Sequence, residues 1–379
     1  MNDKKPLMDY RRAQKLQTPL LLTGALLSGV GTSVSVPLVI LGIAIMLFAI
    51  VIGVLYYRCP HCGRPLGRIG EGGAYCPHCG KALNAPVGEP VRSITVPAYA
   101  KLNLTLDILG KRDDGYHEMQ MVMQTVSLHD DVTVTLTDGK GITCRVDGAA
   151  LPCDERNLAV KAARAFCEAM DYGGGIDIAL IKRIPSEAGM AGGSADAAAV
   201  LRALRELVSP TLTDERLEQI SASVGSDVPF CIRGGTQLAE GRGERLTPVT
   251  PMPRMPVVIC KPDFPISTPE LFHRVDARTS RCRPDTEGIC AALADGDMGK
   301  LARRMYNVFE DVLTHREGEI AAIKSRLLDG GALGAVMSGT GSAVFGIFAD
   351  ADSAAYAKRR LARDYAECFL TETIDRLEI

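Results

Sequence analysis

The sequence predicts an α+β protein built in two lobes, preceded by two transmembrane helices and a small zinc-binding module. Three observations carry this expectation. From Ser93 onward, apolar runs of strand period interleave with runs of helical period. Residues 18–57 carry no charge. The pentapeptide CPHCG occurs twice, beginning at Cys59 and at Cys76. At 379 residues the chain has room for two or three domains, and its net charge of −2 gives no reason to expect nucleic acid or an acidic partner. Of the 12 cysteines, four are clustered and the rest are scattered, several in apolar stretches, which fits a reducing compartment better than a disulfide framework.

Residues 1–17 form a basic tail, with Lys4, Lys5, Arg11, Arg12 and Lys15 against Asp3 and Asp9. One membrane crossing takes about 20 apolar residues. The uncharged stretch 18–57 is therefore expected to form a transmembrane helical hairpin, turning near Gly31–Pro37 where glycine, serine and proline gather. A cleaved leader would need a single short apolar core; a buried soluble hairpin is the competing possibility. Basic residues precede the hairpin and Arg58 follows it, so both ends are expected on the cytoplasmic face of the membrane. In residues 58–83, Cys59 and Cys62 make one knuckle and Cys76 and Cys79 the other. Four thiolates at these spacings suit tetrahedral Zn²⁺ with no open position, hence a structural zinc, and the segment resembles a zinc ribbon. A redox dithiol is the alternative, although that chemistry needs a single CxxC at a helix start. His61 and His78 are read as spectators, and residues 84–92 as a linker.

The body divides into residues 93–250 and 251–379. Strands are expected at Ile94–Val96, Leu102–Leu109, Glu118–Leu128, Val132–Thr137, Ile142–Val146 and Gly175–Ile184, with helices at Asn157–Met170, Ser194–Val208 and Thr213–Ser223. Asp113–His117 reads as a turn. The second half opens with a strand at Val257–Cys260 and continues with helices at Thr268–Val275, Asp297–Tyr306 and Glu317–Leu328. It closes with strands at Gly334–Met337 and Ala343–Ile347, a helix at Ala351–Arg363 and a strand at Cys368–Thr373.

The stretch PSEAGMAGGSADAAA at Pro185–Ala199 lies between a strand and a helix. Such an arrangement presents unpaired N–H groups and the positive end of a helix dipole to an anion. Gly189, Gly192 and Gly193 let the backbone come close to a phosphate. No Gly-Lys-Ser/Thr closes the loop, so it is not a Walker loop. Alone, it is also compatible with a plain glycine-rich connection.

PAYAKLNLTLDI at Pro97–Ile108, this glycine loop, GSDVPF at Gly225–Phe230 and MSGTGSAVF at Met337–Phe345 follow one another in the order of the motifs of the GHMP kinases, which the chain resembles over about residues 91–379. DDGYHEMQMVMQTV at Asp113–Val126 and KPDFPISTPELF at Lys261–Phe272 narrow the resemblance to the branch whose acceptor is a cytidine diphosphate sugar alcohol. The resemblance implies a two-lobed GHMP kinase fold and an ATP- and Mg²⁺-dependent phosphotransferase with a small-molecule alcohol acceptor. It implies Asp227 as catalytic base with Lys101 as its partner. ATP would be held by Pro185, Ala188, Gly189, Met190, Ala191, Gly192, Gly193, Ser194 and Ala195. The acceptor would be held by Asn103, Tyr116, His117, Thr268 and Phe272, with Phe272 and Tyr116 on opposite faces of the base. Read without the motifs, Asp227 could be a helix N-cap and Lys101 a solvated strand lysine. Glu187 stands where glycine is common in the family and would repel a triphosphate unless it points outward. GTGS at Gly339–Ser342 is expected to pack beneath the phosphate loop. The resemblance does not reach the hairpin or the zinc ribbon. Homoserine or mevalonate kinase activity is disfavoured by GYH and PELF; a membrane-anchored binding module with an inactive kinase body is the alternative of a different class.

Overall fold

The computed structural model describes residues 10–56, 58–59, 92–278, 282–314, 316–375 and 377. The chain separates into two compact units, residues 1–90 and 91–379. In the first, α1 (Tyr10–Val34) and α2 (Val36–Tyr56) are joined at Ser35. They approach closely at glycines: a Cβ on Gly42 would lie 2.6 Å from the Gly24 carbonyl oxygen. The expected pair of helices is present, but two membrane crossings are not supported, because among the described residues no helix is long and apolar enough to cross a membrane. The first turns of α1 carry Arg11, Arg12 and Lys15. The zinc expectation is not supported either. Cys62, Cys76 and Cys79 lie outside the described residues, Cys59 is buried, and no cluster of metal-ligating side chains occurs among the described residues.

The second unit opens with two long antiparallel strands, β1 (Ser93–Lys111) and β2 (His117–Thr137). Each was expected as two pieces. Pro97 does not break β1, because β1's second neighbour reaches it only at Thr105 and Leu106, leaving a free edge where proline's missing N–H costs no ladder bond. Next come β3 (Ile142–Asp147), α3 (Leu158–Met170), β4 (Gly175–Ile181), α4 (Gly192–Val208), α5 (Asp214–Ser221), α6 (Val228–Arg233), β5 (Thr236–Gly241) and β6 (Arg245–Pro248). The C-terminal half contains β7 (Pro256–Lys261), α7 (Thr268–Asp276), α8 (Thr286–Asp295), α9 (Met298–Ala302), β8 (Tyr306–Asn307), α10 (Glu317–Asp329), β9 (Gly334–Met337), β10 (Val344–Ile347), α11 (Ala351–Leu361) and β11 (Glu367–Glu372). The helix expected at Asp297–Tyr306 ends at Ala302, because Tyr306 and Asn307 pair with β1 instead. The helix α8 was not foreseen; its N-cap is Asp285, whose carboxylate accepts the Gly288 amide at 2.9 Å.

The strands form a seven-stranded sheet, ordered β3-β4-β2-β1-β8 with β5 and β6 added along β2, and a four-stranded antiparallel sheet ordered β11-β7-β10-β9. Helix α4 is apolar almost all round, burying Ala195, Ala197–Ala199, Val200 and Leu201. Its one buried acid, Asp196, lies 2.5 Å from the Lys182 ammonium, which also pairs with Asp130. Asp130 in turn accepts the Ile184 amide at 2.8 Å, so the cluster ties α4, β2 and the entry to the glycine loop together.

The two sheets are stapled by Asn307. Its amide donates to the carbonyls of Met337 (2.8 Å) and Gly339 (2.7 Å), and its Oδ1 accepts the Phe309 amide at 3.0 Å. Replacing Asn307 by alanine leaves three buried backbone groups unpaired, a cost of about 3 kcal/mol. Thermal unfolding of Asn307→Ala is expected roughly 5–10 °C below wild type; an unchanged midpoint counts against the staple. A second expectation concerns pH. Burial, then repulsion from Asp130, outweigh Lys182 and raise the Asp196 carboxyl from its ordinary 3.8 to about 7. A raised acid favours the fold fully below pH about 4, and that contribution is lost as pH climbs through 7. The midpoint of wild type relative to Asp196→Asn is thus expected to fall between pH 4 and 8, and a parallel pair of curves would contradict the assignment.

Candidate active site

The site forms where β1, the glycine loop and α6 meet. After Tyr99 the register of the β1–β2 ladder shifts by extra residues in β2, so that Lys101 pairs with Thr125. Lys101 is 5% exposed, which excludes the solvated-lysine alternative. Its ammonium donates to Asn103 Oδ1 at 2.7 Å and stands 3.7 Å from Asp227 Oδ2. Asp227 occupies the N-cap position of α6, yet its carboxylate makes no capping hydrogen bond. It faces Lys101 instead, so the two expected catalytic residues are brought together.

The glycine loop is held from both sides. The Lys101 amide donates to the Met190 carbonyl at 3.2 Å. The Ser338 hydroxyl donates to the Gly189 carbonyl at 3.0 Å, and the amides of Ser342 and Ala343 donate to the carbonyls of Glu187 and Ala188, each at 3.3 Å. The turn 339–342 therefore packs beneath the loop as expected. Gly189 has φ +71°, and a Cβ there would lie 2.0 Å from the Ser338 carbonyl oxygen, so this position admits no side chain. Glu187 and Ala191 also adopt positive φ, at 53° and 57°. The Glu187 side chain is exposed, and Glu187 is among the residues lining the smaller cavity at this loop.

The first bond of α4 runs from the Ala195 amide to the Ala191 carbonyl at 2.8 Å. The amides of Gly192, Gly193 and Ser194 thus lack an intrahelical partner, at the positive end of the helix dipole. Two cavities share this loop. One, of about 310 Å³, is lined by Pro185, Ala188, Met190, Gly192, Gly193 and Ser194. The other, of about 660 Å³, is lined by Gly189, Ala191, Ser194, Lys101 and Asp227 at one end and by Tyr116, His117, Thr268 and Phe272 at the other.

Two expected contacts fall outside these walls. Ala195 is 1% exposed with its amide committed inside α4. Asn103 is fully buried, held between Lys101 and the Met121 sulfur (3.1 Å), and so orients Lys101 in place of lining the cavity. At the aromatic end the His117 ring stacks on Phe272, at 4.5 Å and 26°, and Phe309 meets Phe272 edge-on. His117 Nε2 is bonded to Asp276 Oδ1 at 2.9 Å. Tyr116, 55% exposed, carries the Arg242 guanidinium 4.8 Å above its ring. Arg242 was not foreseen as a cavity residue; its only sequence signal is GRGE, a glycine-flanked turn between β5 and β6. Thr340 was missed as a single residue also, and its hydroxyl lies 3.0 Å from that of Thr268.

A model of the GHMP kinases N terminal domain matches residues 157–235, and one of the GHMP kinases C terminal matches residues 289–367. The 4-diphosphocytidyl-2-C-methyl-D-erythritol kinase of Clostridium tetani is 42% identical over 279 residues, 74% of this chain and 99% of the relative. That of Acetivibrio thermocellus is 43% identical over 284 residues, 75% of this chain and all of the relative. A crystal structure of 4-(cytidine 5'-diphospho)-2C-methyl-D-erythritol kinase superposes with a TM-score of 0.64 at 33% identity, over 74% of this chain and 99% of that one. With relatives this similar matched over almost their whole length, and with both GHMP domains in order, the chain belongs to the 4-diphosphocytidyl-2-C-methyl-D-erythritol kinase family of the GHMP kinases.

Proposed function

We propose that this chain transfers the γ-phosphoryl group of ATP to the 2-hydroxyl of 4-diphosphocytidyl-2-C-methyl-D-erythritol, a step in isoprenoid precursor synthesis. The observation that carries this is the Lys101–Asp227 pair, set 3.7 Å apart between a glycine loop and an aromatic pocket. Asp227 accepts the hydroxyl proton as the acceptor oxygen bonds to phosphorus and the bond from phosphorus to the leaving oxygen of ADP breaks. Lys101, fixed by Asn103, faces Asp227 and offsets charge on the transferred group. The amides at the start of α4 receive phosphate oxygens. The chemistry that Mg²⁺ supplies when bound with ATP is neutralisation across those oxygens. Transfer is direct, with no phosphorylated enzyme group.

In an ADP-release assay of the full chain, turnover is expected with 4-diphosphocytidyl-2-C-methyl-D-erythritol and not with homoserine or mevalonate. Asp227→Asn is expected to lower kcat by about 100-fold or more while the KM for ATP stays within about twofold. Unchanged turnover in that variant overturns the role of Asp227. Silence of folded, ATP-binding wild type with all three acceptors would favour a binding module instead.

The same proposal sets residues 18–57 in a membrane with both ends on the cytoplasmic side, and a structural Zn²⁺ on Cys59, Cys62, Cys76 and Cys79. What supports the first is the absence of charge from Thr18 to Tyr57, the exposed Leu22, Leu26, Ile40, Leu47 and Phe48, and the close approach of α1 and α2 at Gly24 and Gly42. The second rests on the paired CPHCG spacing. The full chain is expected to stay with membranes through a high-salt wash, to be released by detergent, and to carry about one zinc per chain by metal analysis. Release by salt, or a metal-free chain, would remove the corresponding element.

A further inference from the structure

We infer that Arg242 is the residue that recognises the diphosphate of the acceptor, and so selects a nucleoside diphosphate over an uncharged nucleoside; this rests on the acceptor class proposed above. Among the described residues lining the larger cavity, Lys101 and Arg242 are the ones with permanently cationic side chains. They are used differently. Lys101 is buried and already engaged, by Asn103 at 2.7 Å and Asp227 at 3.7 Å. Arg242 keeps a third of its side chain exposed, and among the described residues its guanidinium donates no hydrogen bond. Its neighbours are the Tyr116 ring at 4.8 Å and Glu244 Oε1 at 3.9 Å; the Asp114 carboxyl, held below its ordinary range chiefly by the Tyr116 amide and then by Arg112, also feels the arginine's charge.

The turn that carries this free fork touches both ends of the cavity. The Arg242 amide donates to Glu244 Oε2 at 2.6 Å, and the Gly243 amide to the Glu240 carbonyl at 3.1 Å, which fixes the turn. Gly243, at φ +110°, lies against the reacting end, since a Cβ there would be 3.6 Å from Asp227 Oδ1 and 3.2 Å from the Met121 methyl. A side chain at 243 would crowd that end, whereas the preceding residue points its guanidinium over Tyr116 at the aromatic end. An acceptor whose base lies among Tyr116, His117 and Phe272, and whose hydroxyl meets Asp227, must carry its linking group past Arg242. A diphosphate in that stretch brings negative oxygens that a planar guanidinium can bind in pairs. No other described cationic side chain of the cavity is free to do so.

The test measures competitive inhibition of the full chain by CDP and by cytidine, against the acceptor and against ATP, for wild type, Arg242→Gln and Arg242→Lys. In wild type, CDP is expected to bind more tightly than cytidine by about tenfold or more. In Arg242→Gln that preference collapses and the acceptor KM rises by about tenfold, while cytidine binding, kcat and the KM for ATP stay within about twofold. Arg242→Lys, which keeps the charge but loses the fork, falls between the two. Raising ionic strength should erode the CDP preference of wild type and leave that of Arg242→Gln flat. An unchanged CDP-to-cytidine ratio in Arg242→Gln overturns the inference, as does a rise confined to the KM for ATP, which would give the arginine to the phosphate donor. An equal loss of cytidine and CDP binding overturns it too, because the arginine would then only be shaping Tyr116. Failure of the acceptor class itself is separate: wild type would then neither turn over the cytidine substrate nor bind CDP.

Discussion

The contact on which the site depends is the backbone-to-backbone approach of the glycine loop and the turn after β9. Gly189 and Gly339 meet so closely that a Cβ on Gly339 would stand 2.7 Å from the Gly189 carbonyl oxygen, and one on Gly189 2.0 Å from that of Ser338. Short loops of this kind would ordinarily be mobile and solvated. Here the loop's carbonyls are taken up by Ser338, Ser342 and Ala343 on one side and by the Lys101 amide on the other. The loop amides at the start of α4 are left facing outward, which is the polarity an anion site requires.

That clamp also joins the two sheets. The turn belongs to the four-stranded sheet, while Lys101 and α4 belong to the larger one, and Asn307 holds the turn from a strand that the C-terminal half contributes to the larger sheet. The reacting groups therefore sit on rigid elements, Lys101 on β1 and Asp227 at the start of α6, which packs against β1 and α4. Beneath them, the Lys182 ammonium lies between Asp130 and Asp196 with one Asp196 oxygen buried and unpartnered. A buried ionic cluster of this type is weak evidence for stability in itself, because desolvation offsets the pairing. Its value lies in fixing the depth of α4 against β2 and the loop entry.

Much of this was legible in the chain. A glycine loop between a strand and an alanine-rich helix announces an anion site, since backbone freedom and helix polarity are local properties. The strand and helix periods of the body were read correctly wherever burial on one face imposes the period, as in β4 and α11. They failed where neighbours decide. Whether Pro97 interrupts a strand depends on which edge is free, and whether Tyr306 ends a helix or joins a sheet depends on β1 being beside it. The amino-terminal helices were foreseen from the run of uncharged residues, but the crossing of a membrane was not supported for the described residues.

The sequence by itself determined the order of the elements, the phosphate-type loop and the residue types available for transfer, because these follow from composition and spacing along the chain. Only the tertiary structure decided which charges face one another. Lys101 and Asp227 stand 126 positions apart in sequence and become a pair because β1 buries one beside the start of α6, where the other makes no capping bond. The same distinction explains the aromatic end, where His117 lies on Phe272 and Tyr116 is left to Arg242. Periodicity specifies which face of an element is buried; it does not specify which partner meets it there, and electrostatics depends on the partner.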